Sequence, residues 1–371
     1  MRATMHIAHV STVHKHRDIA AALDSFVLPD DLGFGQVFAP IMYRIDYQEG
    51  NWGEGQLLPY GSIELDPASK LLHFAQVAFE GLKAYRGQHD QPVLFRPFMN
   101  ARRMNQSALR LQMPELPEEI FVEALAEMTA CCDPLIPIAT GYSLYLRPFM
   151  FGTQADLAIR ASDRYSFMVI ASPSEAVMGG GPIRVLVDET GTRATPGGTG
   201  HVKASGNYGA ALYSSARAAE QRFFQPLWLD AAEHRYIEEL SAMNFFAVID
   251  GALHTPDLTG TILPGVTRNS LMQLARSSGL TVIEDRIAID TLVTAISSGR
   301  CTEAFGCGTA AVLLPISEIG YGGSLYELQG AQGPIAKRLR RELLDIQEGR
   351  AADRFNWLYK VETTRAVHAQ I

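Results

Sequence analysis

The stretch Thr195–Gly209, TPGGTGHVKASGNYG, sets one lysine, Lys203, among five glycines. A lysine is most often a solvated surface charge. Here Gly200, Ala204 and Gly206 leave room for a flat ligand to approach the backbone. Asn207 and Tyr208 then open an amphipathic helix, whose free N–H groups and dipole favour an anionic neighbour. A desolvated lysine in that setting gives up its proton more readily, and the neutral amine forms Schiff bases with carbonyl compounds. Nucleotide-phosphate loops do not fit the spacing. GGTGHVK is not GxxxxGK(S/T), because Val202 precedes the lysine, and it is not GxGxxG, because Lys203 stands where a third glycine belongs.

Two further turns suit anions. LPGVTR (263–268) opens a helix with its amides free, and FGCGTAA (305–311) ends a strand in small residues. Each is weak alone, since Pro-Gly before a helix is common punctuation. Together with Lys203 they indicate a cofactor with both a carbonyl and a phosphate, for which pyridoxal 5'-phosphate is the candidate. Its pyridine nitrogen needs a carboxylate partner. YIEELSAMNFF (236–246) offers Glu238 and Glu239, which point to opposite faces of a strand, so one serves and the other is expected in solvent.

The elements that position these residues follow from pattern. The 371 residues suffice for two domains with their own cores. A hydrophobic fraction of 47% and a charged fraction of 19% describe a globular chain. With a net charge of -8 and scattered basic residues, nucleic-acid binding has no support; the Lys337–Arg341 cluster reads as a solvated helix face. No apolar run reaches the roughly 18 residues of a membrane span, and the N-terminus lacks a signal-peptide core, which leads us to expect a cytoplasmic protein. The four cysteines are expected to be reduced; adjacent Cys131–Cys132 suits neither zinc nor a disulfide framework, and no metal is expected.

The first 30 residues are weakly patterned and read as a loosely docked arm. Strands are expected near 36–46, 77–86, 92–96, 141–150 and 164–171, with helices over 98–111 and 117–132, the latter with Pro117 in its first turn. SPSEAVMGGGP (172–182) is the best linker candidate. Beyond it lie strands near 183–188, 226–230, 235–239, 281–285, 303–306 and 311–315, helices over 207–221 and 266–278, and a hairpin over 244–256 turning at Asp250-Gly251. This mixed order, without regular βαβ alternation, predicts an α+β protein. The expected division is a smaller domain over 1–172, a linker over 173–182 and a larger domain over 183–371 that carries Lys203.

Taken together, GNYGA after the lysine, YIEE with Met243-Asn244, LPGVTR and FGCGTAA resemble a branched-chain amino acid aminotransferase of the fold-type IV pyridoxal-phosphate class. FEGLKAYRG (79–87), LFRPFMNARRM (94–104) and LYLRPF (144–149) agree, so that the resemblance covers about residues 33–350. It implies a two-domain fold like that of D-amino acid aminotransferase, with the cofactor at the domain interface, and a homodimer. It further implies that Lys203 carries the cofactor as a Schiff base and shuttles the proton. Tyr208 would bond the phenolic oxygen, Glu239 rather than Glu238 the pyridine nitrogen, and Arg96 the phosphate with Val266, Thr267 and Thr309. Thr309 and Ala310 would meet the substrate carboxylate, and Phe79, Tyr145 and Arg147 would line the substrate pocket. From the residues alone, Phe79 and Tyr145 read as core and Arg96 and Arg147 as surface charges; only the resemblance raises these four.

The chain departs from the family at three places. His73-Phe74 replaces a frequent His-Tyr, the 172–182 linker is short with Met178 near its centre, and Ala311 and Leu314 replace a CxxC, so no redox switch is expected. The activity implied is transfer of an amino group between leucine, isoleucine or valine and 2-oxoglutarate. Alternatives are an aminotransferase for another apolar or aromatic amino acid, a D-amino acid aminotransferase, or a pyridoxal-phosphate lyase.

Overall fold

The computed structural model describes residues 13–177, 181–328 and 333–363. Among them the chain forms two large sheets. The first runs Gln56–Pro59, Ile41–Gln48, Tyr165–Ser174, Ser143–Gly152, Leu82–Arg86 and Pro92–Phe95. The second runs Ile237–Leu240, Gln225–Leu229, Ile183–Asp188, Val312–Tyr321, Cys301–Gly308, Asn244–Ile249, Ala252–Pro256 and Val282–Asp285. An added pairing, Glu239 opposite Asn244, closes most of this run into a ring. Parallel and antiparallel pairs mix in both sheets, which gives the expected α+β class.

Helices cover the sheets as their apolar spacing demands. Glu118–Cys131 has Pro117 just before it and two glutamates in its first turn, and it buries Phe121, Val122, Leu125 and Met128 against the first sheet. Each such side chain contributes about 1.5–3 kcal/mol relative to exposure. A second core joins the sheets: Tyr85, Val93 and Phe95 meet Phe246, Phe305 and Leu313, with Leu339 and Leu343 of the helix Pro334–Gln347. No helix of the described residues is long and apolar enough to cross a membrane.

Several elements differ from expectation. The strand expected over 77–86 breaks into Val77–Phe79 and Leu82–Arg86, because Glu80 turns its carboxylate inward and Gly81 makes space for the Tyr145 hydroxyl. The helix expected over 207–221 is two helices, Ser205–Ala210 and Leu212–Glu220, meeting at Ala211. The helix Ile289–Ser297 has no counterpart among the expected elements. The described part of the N-terminal arm is docked: His14–Lys15 pairs with Gln56–Leu57, and Ile19 is buried in the first core. Leu358–Lys360 returns to pair with Pro92–Phe95, so the last described strand belongs to the first sheet. Of the linker expected over 173–182, Pro173 and Ser174 end the strand Tyr165–Ser174, and 175–177 and 181–182 are also described; Met178 lies outside the described residues.

Candidate active site

Lys203 is fixed by its backbone. Its N–H donates to Ser107 Oγ at 2.9 Å, and its carbonyl accepts from the Phe79 N–H at 3.1 Å, which ties the glycine loop to the first sheet. The side chain is thereby aimed into a cavity of about 410 Å³ walled by both halves of the chain. Nζ donates to Tyr208 Oη at 2.8 Å and lies over the Phe79 ring, 4.6 Å from its centroid. Tyr208 reaches it because Asn207, one residue earlier, bonds Thr199 and the Val202 carbonyl and pulls the helix start against the loop. The loop glycines do different work from that expected. A Cβ on Gly200 would collide with Ala194 Cβ and the Thr261 carbonyl, so this glycine serves chain packing, while Gly206 and Gly209 face open space.

Glu239 forms the cavity's far wall. Its Oε1 accepts from Arg193 Nη2 at 2.6 Å and from the Leu263 N–H at 3.1 Å; Oε2 accepts from Asn244 Nδ2 at 3.0 Å. Burial pushes this carboxyl up, and the Arg193 guanidinium pulls it back down most strongly. Glu238 faces the other way but not into solvent, where alternation alone would put it. It is 4% exposed, bonds Thr261 Oγ1, and burial raises its carboxyl to about 7. Thr261 covers this face of the strand.

The opposite side of the cavity belongs to the first sheet. Tyr145 and Arg147, two apart on Ser143–Gly152, point to the same face. Arg147 Nη2 donates to Tyr145 Oη at 3.0 Å, and its guanidinium lies 4.8 Å from the Phe79 centroid. Arg147 Nε is buried with no partner. Phe34 packs edge-on against Tyr145 at 5.0 Å and completes the aromatic wall. Thr309 and Ala310 form the turn after Cys301–Gly308 and also line the cavity. The Ala310 carbonyl accepts from Lys83 Nζ at 2.9 Å, a bond that crosses between the sheets. Val266 and Thr267 begin the helix Val266–Ser277, so their amides have no intrahelical acceptor, and both residues line the cavity.

Among the residues expected to bind cofactor or substrate, Arg96 is the one that the structure keeps out of the cavity wall. Its backbone is left-handed (φ +52°) at the start of the helix Pro97–Arg110. The guanidinium donates to Ser270 Oγ at 2.7 Å and stacks on Trp357 at 4.9 Å. The cation at the Pro264 turn is Arg103. Its Nη1 donates to the Pro264 carbonyl at 3.1 Å, and its Nε and Nη2 grip Glu80 at 2.7 and 2.8 Å. Burial opposes both charges, but the pairing prevails: Arg103 is held above and Glu80 below its ordinary range. Helical spacing carried the signal for Arg103, since Asn100, Arg103 and Ser107 share one face with Met104 and Ala108. Arg193 had no comparable signal. Phe74, where the chain departs from the family's frequent His-Tyr, is 39% exposed and lies outside the cavity wall.

The cavity thus offers an amine beside a phenol, a buried carboxylate, free amides next to a guanidinium, and a cation among aromatic rings. A flat molecule with an anionic end and a basic ring nitrogen meets a partner for each of its groups. Comparison with known proteins agrees. Residues 77–319 match the family model for class IV amino-transferases. The chain is 42% identical to branched-chain-amino-acid transaminase 1 of Bacillus subtilis (strain 168), covering 90% of this chain and 95% of that one. It is 44% identical to the branched-chain-amino-acid aminotransferase of Mycobacterium tuberculosis (strain H37Rv), over 89% of this chain and 92% of that one. It is similar in structure to the branched-chain amino acid aminotransferase of Escherichia coli. That likeness has a TM-score of 0.69 at 25% identity, covering 86% of this chain and 99% of that one. The Thermobaculum terrenum enzyme in its PLP form shares the fold, with a TM-score of 0.72 at 24% identity over 86% of this chain and 98% of that one. With its motifs spread over both halves and such relatives matched over nearly their whole length, this chain belongs to the class IV aminotransferases, among the branched-chain-amino-acid aminotransferases.

Proposed function

We propose that this chain transfers the amino group of leucine, isoleucine or valine to 2-oxoglutarate, using pyridoxal 5'-phosphate. The observation that carries the reading is the single cavity in which Lys203 faces Tyr208, Glu239 and Arg147. When bound, the cofactor supplies a carbonyl for the amine and a ring that accepts the electron pair released at the substrate α-carbon. Lys203 Nζ binds it and, once freed, takes up the proton at that carbon. Tyr208 Oη, bonded to Nζ, holds the phenolic oxygen side. Glu239 keeps a proton on the ring nitrogen. Val266, Thr267 and Thr309 bind the phosphate, with Arg103 in the part expected of Arg96. Thr309 and Ala310 orient the substrate carboxylate, while Phe79, Tyr145 and Phe34 enclose an apolar side chain and exclude water. A division into a domain over 1–172, a linker over 173–182 and a domain over 183–371, with Leu358–Lys360 of the last returning to the first sheet, belongs to the same proposal, as does a homodimer in the cytoplasm. Steady-state rates over a panel of amino donors test it: the three branched-chain donors should head the panel, and negligible turnover of all three overturns it.

One site must also admit the second carboxylate of glutamate. Arg147 is suited to this, because Nε is buried without a partner and the aromatic rings beside it shield the charge from water. Arg147→Gln is expected to raise KM for 2-oxoglutarate by about 10–100-fold, the value of a lost charge-assisted hydrogen bond of about 1.5–3 kcal/mol. KM for leucine should change far less. Equal losses for both substrates would remove Arg147 from this role.

A further inference from the structure

The Lys337–Arg341 cluster, which reads as a solvated face in sequence, borders a cleft of about 370 Å³ in the structure. The cleft lies between the helix Pro334–Gln347 and the strand segment around Leu313 and Pro315, and shares no wall residue with the active-site cavity. Lys337, Arg340, Arg341 and Arg350 converge on it. Arg350 is neutralised by Asp345 and Glu348. The other three have no carboxylate within ion-pair distance among the described residues; nearby Glu342 pairs instead with Arg338 and Arg354.

One cleft residue and one buried neighbour also carry unsatisfied polar atoms. Arg340 Nε has no partner, and neither does the hydroxyl of Tyr85, which is 1% exposed and close enough to feel the Arg340 charge. Burial of an unpaired cation is costly, and an orphaned buried donor adds to that cost. A bound anion would give the half-buried Arg340 guanidinium a partner, with the exposed Lys337 and Arg341 beside it on the cleft wall. Two guanidiniums and an ammonium around one concavity favour an oxyanion with several acceptor oxygens, because each guanidinium can bind two of them side by side. The volume lies at the lower end of small-ligand sites.

We propose that this cleft binds a small, multiply charged oxyanion, phosphoryl or polycarboxylate in chemistry, separately from the substrates. Lys83 links the two places: its amine holds the Ala310 carbonyl of the active-site turn and feels Arg340 from behind.

Calorimetric titration of the cofactor-loaded protein at physiological ionic strength, with pyrophosphate and separately with citrate, tests this. Saturable binding of at least one probe is expected; pyrophosphate alone identifies a phosphoryl ligand, citrate alone a polycarboxylate. Lys337→Gln/Arg341→Gln, both at exposed positions on the helix surface, should weaken it by about ten-fold or more, and Arg340→Gln, at the half-buried position between them, should weaken it at least as much. Arg147→Gln, in the other cavity, should leave it intact. Absence of saturable binding, unchanged affinity in the Lys337→Gln/Arg341→Gln protein, or loss of binding in Arg147→Gln would each overturn the proposal.

Discussion

Lys203→Ala is expected to lower transamination by about 10³-fold or more, within the range for removing a positioned proton-transfer group and larger once attachment of the cofactor is lost too. The fold should survive, because Lys203 is tied in by backbone bonds to Ser107 Oγ and from the Phe79 N–H, and alanine keeps both. What the substitution removes is a cation over two aromatic rings and one hydrogen bond to Tyr208. The melting temperature should therefore stay within about 3 °C of the parent, roughly 1 kcal/mol in a chain of this size. Mass spectrometry after borohydride treatment and denaturation gives an independent reading: the cofactor's mass should remain on the parent chain and be missing from the variant. Activity above a tenth of the parent, or a retained cofactor mass, would remove Lys203 from its assigned place.

That lysine is legible because its surroundings are local. Tyr208 lies five positions on, the short helix from Ser205 fixes their separation, and the motif spacing can be read without knowing the fold. The hairpin at Asp250-Gly251 and the helix Glu118–Cys131 are legible for the same reason. What sequence does not convey depends on contacts between distant segments. Strand alternation sends Glu238 away from Glu239 correctly, yet it cannot tell that Thr261, more than twenty positions later, covers that face. The break after Phe79 is invisible in the pattern because its cause is a buried pair between Glu80 and a helix residue. Gly200 reads as clearance for a ligand, and its actual neighbour is the Thr261 carbonyl. Arg193, which braces Glu239, joins three segments through Gly200, Thr261 and Glu239 and carries no local mark.

The choice between Arg96 and Arg103 is the largest difference between motif and structure, and it can be measured. Arg103→Gln is expected to weaken cofactor binding strongly, because it removes the guanidinium beside the Pro264 carbonyl at the turn that opens the helix with Val266 and Thr267. It also strands Glu80, which is fully buried, and breaking such a pair costs about 3–5 kcal/mol. Lost binding alone would thus be ambiguous. The double variant Glu80→Gln/Arg103→Gln removes both charges, and replacing a buried pair as a whole is often nearly neutral. It should regain most of the stability while still failing to hold the cofactor. Arg96→Gln should do the reverse: loss of the Ser270 bond and the stacking on Trp357 costs about 1–2 kcal/mol, with cofactor affinity nearly unchanged. Cofactor dissociation followed by absorbance, alongside thermal melts, separates the three proteins. If Arg96→Gln releases the cofactor and the double variant retains it, the anion is held from the Trp357 side, and the motif reading is restored.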